Sequence, residues 1–105
     1  MNKIKVIIKR PDEKAGHVTW ISDTLENLQT HVEGYIETIP CGSDAVIICN
    51  EEGKIRNLDP NFRYGSAFPD MICGTVIVCG VDGDEFGDVP FSLQAWKQLL
   101  KTWGN

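Results

Sequence analysis

The chain has 105 residues, 42% of them hydrophobic and 24% charged, with a formal net charge of −5. Such a length makes one domain, 1–105, able to bury roughly 65% of the surface its unfolded form exposes without a disulfide or metal staple. The composition excludes a disordered chain, and with no apolar run of about 18 residues no membrane-spanning helix is expected.

Along the chain, Ile4, Val6 and Ile8 alternate with Lys3, Lys5 and Lys9, the pattern of a strand with one buried face. The same alternation rules against a signal peptide, so the default location is cytoplasmic. A turn-rich connection over 11–16 leads to a second strand at His17–Ile21, making a hairpin. Asp23 followed by Glu26 resembles a capping box and predicts a helix with Leu25, Leu28 and Val32 on its buried stripe and Gly34 at its end. Tyr35–Ile39 reads as a third strand stopped by Pro40, and Ala45–Cys49 as a fourth, apolar on both faces and therefore central.

Glu51-Glu-Gly53 predicts a tight turn with Gly53 at positive φ, feeding a short strand at 54–56. Residues 57–70 show no periodicity, and 73–79 reads as one strand, with Gly74 admitting another backbone close by. The acidic stretch 81–88 lacks the terminal Glu of a calcium loop and reads as a polar connection. Ser92 then caps a final amphipathic helix that places Leu93, Trp96, Leu100 and Trp103 on one face, with Phe91 as its staple. The order β-β-α-β-β-β-β-α predicts an α+β domain: a mostly antiparallel sheet of about five to six strands with two helices packed on it.

Cys41, Cys49, Cys73 and Cys79 contain no C-x-x-C pair. On a single strand Cys73 and Cys79 would lie about 20 Å apart, too far to bridge or to share a metal. The expectation is four reduced, mostly buried thiols, with no metal and no cofactor; no spacing joins a cysteine to His17 or His31 as ligand or catalytic partner.

Positive charge is confined to three islands, Lys3–Lys14, Lys54–Arg63 and Lys97–Lys101, separated by arcs with seven and five acidic residues. An acidic domain repels phosphate backbones, so direct nucleic-acid binding is not expected even from Lys3, Lys5, Lys9, Arg10 and Lys14. The middle island carries Arg56, Asn57, Asn61 and Arg63, followed by Tyr64 and Phe68. Arginine and aromatic side chains are the usual anchors of interfaces, which makes these six the candidate binding residues.

Four segments taken in order, Gly34-Tyr-Ile-Glu37, Ile48-Cys-Asn-Glu-Glu-Gly-Lys54, Leu58-Asp-Pro-Asn-Phe-Arg63 and Ile72–Gly80, resemble domain-of-unknown-function family 3846 over most of the chain. The resemblance implies the setting of a phage, plasmid or other mobile element and brings no catalytic set. The expected function is therefore binding without catalysis: occluding a host defence or regulatory protein, or sequestering a small anionic ligand at Arg56 and Arg63. A small enzyme acting on nucleotides or peptides, with Asp70, Asp82, Asp84 or His17 as acid–base groups, and an acidic nucleic-acid mimic are the alternatives. Free edge strands leave room for a homodimer.

Overall fold

The computed structural model describes residues 2–105. Eight strands and two helices follow one another as β1 (Lys3–Lys9), β2 (His17–Ser22), α1 (Leu25–Val32), β3 (Ile36–Pro40), β4 (Ala45–Asn50), β5 (Pro60–Tyr64), β6 (Asp70–Cys73), β7 (Val76–Asp82), β8 (Glu85–Gly87) and α2 (Leu93–Thr102). Five strands run in the order β2-β1-β7-β4-β3, with β8 joining the end of β7, and every pairing is antiparallel. Strands β5 and β6 form a separate hairpin. The fold is α+β, as the sequence predicts.

The register explains which side chains form each core layer. Ile8 and Ile48 both stand opposite Ile77, and with Ile4, Val6 and Ile21 they build one face of the sheet, covered by Leu28 and Val32 of α1. One residue over, Ile7 and Ile47 flank Val78 on the opposite face, beneath Phe62 and Ile72 of the hairpin and Trp96 and Leu100 of α2. A strand buried on both faces must be apolar at every position, and Val76–Cys79 meets that demand in full.

Helix α2 is held by polar as well as apolar contacts. Ser92 caps it, its Oγ accepting from the Ala95 N–H at 3.1 Å. The Trp96 indole stands edge-on to Phe62 (5.6 Å, 87°) and to Trp103 (6.0 Å, 83°), and its Nε1 donates to the Ala15 carbonyl at 2.8 Å. Past the helix, the Asn105 side chain accepts from the Arg63 N–H and donates to the Arg63 carbonyl, both at 2.9 Å, completing the outer edge of β5.

Several local expectations are corrected. Asp23 follows the end of β2 directly, its N–H still bonded to the Asn2 carbonyl, so the cap of α1 is Thr24, whose hydroxyl accepts from the Asn27 N–H at 3.1 Å. Leu25 in the first turn stays exposed. The helix ends in a left-handed Glu33 (φ 65°) in place of Gly34. Gly34 is needed for another reason: a Cβ there would lie 2.6 Å from Asn50 Nδ2 and 2.9 Å from Arg56, both of which reach the last carbonyls of α1. Residues 51–57 form successive tight turns with no strand at 54–56, started by Asn50 Oδ1 accepting from the Glu52 N–H, and the positive φ falls at Asn57. The expected single strand 73–79 is broken at Gly74 (φ 86°), whose N–H bonds to the Asp59 carbonyl while Leu58 fills the space a side chain would take. The acidic connection is a hairpin, β7 turning into β8 through Gly83 and Asp84.

Candidate functional site

The six candidate binding residues are distributed over several structural tasks. Arg56 donates to the Glu33 carbonyl at 3.0 Å, a cation at the negative end of α1. Asn57 supplies a left-handed turn position. Asn61 is drawn inside: its Nδ2 donates to the Lys9 and Gly74 carbonyls, each at 2.8 Å, and its Oδ1 accepts from the Lys9 ammonium at 2.6 Å. Lys9, expected on a solvated strand face, is only 3% exposed and also donates to the Glu13 carbonyl at 2.7 Å. Burial holds its pKa below the ordinary value, with Glu13 and Asp12 partly restoring it through space. Tyr64 packs on Trp103 and donates to the Pro40 carbonyl at 2.6 Å. Arg63 is exposed, with its backbone tied to Asn105. Phe68, at the tip of the β5–β6 hairpin, is 95% exposed.

None of the six lines the cleft of about 260 Å³ that lies between β3 and β4, the 50–55 turns and β6. Glu37, Glu51, Glu52 and Asp70 make it acidic; Ile39, Ile55, Met71 and Ile72 give it apolar wall. Lys54 bonds to Asp70, which closes the turn onto the hairpin, holds the ammonium pKa up and holds the carboxyl pKa down. Two thiols, Cys49 and Cys73, also line the cleft. Cys49 stands opposite Glu37 across the β3–β4 ladder and its Sγ points at Glu37 Oε1, 3.8 Å away.

A cysteine beside a carboxylate in a concave site has the outline of a nucleophile and its base, and the electrostatics work against it. Burial first, and then the Glu37 charge, push the Cys49 thiol up to about 12, so almost no thiolate exists at neutral pH. The acid–base candidates are likewise dispersed. Asp70 borders this cleft, whereas His17 lines a different groove and bonds to Glu13 at 2.8 Å. Asp82 at the end of β7 and Asp84 in the β7–β8 turn line neither. Among the described residues no three His, Cys, Asp or Glu side chains are grouped as metal ligands, and no helix is long and apolar enough to cross a membrane.

The family model for "Domain of unknown function (DUF3846)" matches residues 4–103, from the first strand through the last helix. The chain belongs to this family. No curated protein and no solved structure matches it.

In this DUF3846 domain the cleft residues Glu37, Glu51, Asp70 and Cys73 were not readable as a group, because they come from segments 12 or more residues apart joined only by tertiary pairing. One signal in the sequence does join two of its members: in a β3–β4 hairpin the register partner of Cys49 is Glu37.

The buried thiols of the DUF3846 domain set an alkaline limit on its stability. Burial raises Cys41 to about 11 and Cys49 and Cys79 to about 12, from 9.0. Since the folded values lie above the unfolded ones, this stability is present in full below pH 9 and is lost as pH climbs from 9 towards 12. The lowered Lys9 acts in the opposite sense below 10.5, one group against three. Urea denaturation between pH 7 and 10.5 should show a falling midpoint above pH 9, and Cys79→Val should make that fall shallower. A midpoint that rises over this range would contradict the assignment.

Proposed function

We propose that this domain is a binding protein that acts by occupying a partner protein, in the manner of a phage or plasmid accessory factor directed at a host defence or regulatory protein. The observation that carries the reading is the distribution of exposed apolar side chains. Of seven large ones among the described residues, Ile55 (80% exposed) and Met71 (38%) line the acidic cleft, while Tyr35 (70%), whose carbonyl bonds to the Glu51 N–H, and Phe68 (95%) lie on the segments leading into β3 and β6. Apolar groups gathered beside a polar cleft are what interaction surfaces present, since leaving them in water brings the domain no stability.

The chemistry of the surroundings suits a partner segment that carries basic and apolar residues. Among the described residues, no basic side chain pairs with three carboxylates of the cleft, Glu37, Glu51 and Glu52. Strand β3 is a sheet edge beside them, able to accept an extended chain by main-chain hydrogen bonding. The inert Cys49 thiol favours occupancy over covalent chemistry.

The test is capture from host extract followed by mass spectrometry. The wild-type domain is expected to recover one dominant partner, the Ile55→Ser/Phe68→Ser variant to lose it, and Trp20→Ser, an exposed residue of the opposite sheet edge, to keep it. No partner at several expression levels, or retention by the double variant, would overturn the reading.

A further inference from the structure

We propose a second binding site, for a small multiply charged phosphate compound, in the cleft between the 13–16 connection and α2. It shares no residue with the acidic cleft and goes beyond the function proposed above. The cleft has a volume of about 570 Å³, within the range of small-molecule sites, and Lys14, Lys97 and Lys101 line it over a floor that includes Ala15 and Leu100.

These lysines come from basic islands 83 and more residues apart in sequence, brought to one place by an otherwise acidic fold. The middle island approaches as well, because Asn105 at the rim holds the Arg63 backbone. Lys97 and Lys101 stand four apart on α2, where like charges repel, and no carboxylate of the described residues pairs with either or with Lys14. The one acidic residue of the lining, Glu13, is already engaged: Oε1 accepts from the Arg10 N–H at 2.9 Å, and Oε2 lies 2.8 Å from His17 Nδ1.

Two bonds fix the wall of the cleft before any ligand arrives. Trp96 Nε1 holds the Ala15 carbonyl and Lys9 Nζ holds the Glu13 carbonyl. The Lys9 ammonium behind that wall donates to the Glu13 carbonyl and to the carbonyl and Oδ1 of Asn61, and the nearby Glu13 and Asp12 carboxylates offset its charge, so its part is to hold the wall in place.

Lysines act as point charges that suit phosphate groups. The acidic arcs beyond the cleft disfavour a nucleic-acid polymer, and no aromatic side chain lines it on which a base could stack. The phosphates themselves are therefore the recognised part.

Calorimetric titration of the intact protein with inorganic tripolyphosphate at low salt tests the site, with orthophosphate and a nucleoside triphosphate as parallel arms. Tripolyphosphate should bind more tightly than orthophosphate, and the affinity should fall as salt is raised. Lys97→Gln/Lys101→Gln and, separately, Lys14→Gln should weaken it by about tenfold or more, whereas Lys3→Gln/Lys5→Gln, which removes the same charge as the first variant, should change it by less than about threefold. Tighter binding of the nucleoside triphosphate would add recognition of the nucleoside to that of the phosphates; equal binding leaves the phosphates as the whole determinant. No measurable binding of tripolyphosphate, or equal losses in the α2 and β1 double variants, would overturn the proposal.

Discussion

Trp96→Ala is expected to destabilise the domain by about 3–5 kcal/mol, a large share of the whole stability of a chain this size. The indole is fully buried and touches Trp103 at the end of its own helix and two segments distant in sequence, Phe62 of β5 and, through Nε1, the carbonyl of Ala15 between β1 and β2. Alanine would leave a cavity among aromatic rings that are themselves fixed, since Phe62 and Trp103 stack at 6.2 Å with 12° between their planes. Trp96→Phe separates the two contributions. It keeps much of the volume and removes the bond to Ala15, and should cost about 1–2 kcal/mol beyond the change in packing. Chemical denaturation of both variants measures the difference; an alanine variant within about 1 kcal/mol of wild type would show that α2 is not integral to the core.

Asn61→Ala should cost about 2–4 kcal/mol, because it removes three hydrogen bonds and withdraws a partner from a buried ammonium. The Lys9 and Gly74 carbonyls lose their donor, and Lys9 Nζ keeps only the Glu13 carbonyl at full strength. The larger part of that cost comes from stranding the Lys9 charge, so Lys9→Met should recover part of it in the double variant. A double-mutant cycle by urea denaturation reads this directly. Strict additivity would mean that Asn61 acts through the two carbonyls alone.

Alternation in Lys3–Lys9 and the apolar runs at 45–49 and 76–79 reveal strands because burial imposes a period on one strand at a time. Helix α2 is legible for the same reason, from Leu93, Trp96, Leu100 and the Ser92 cap. Strand β5 is not, since Phe62 is its only fully buried side chain and a bulge between Pro60 and Phe62 disturbs its register. Asn61 is a polar residue that looks exposed in sequence because its partners, Lys9 and Gly74, lie 52 and 13 residues away. Lys9 itself sits at the solvent position of its strand by alternation, and the hairpin laid over that face buries it. Phe68 is exposed, in keeping with an unpatterned stretch, whereas the acidic groove depends on the pairing of β3 with β4 and of Lys54 with Asp70, which no local pattern announces.

The position of β7 between β1 and β4 bears on how the chain acquires its structure. During synthesis from the N-terminus, the β1–β2 and β3–β4 hairpins emerge well before residues 76–82, and neither pairs directly with the other. Until β7 arrives, each half exposes an apolar strand edge, and α1 has only half a sheet to lie on. Closure depends on a late segment inserting between two early ones, an order of events that favours slow folding and makes truncated chains prone to aggregate.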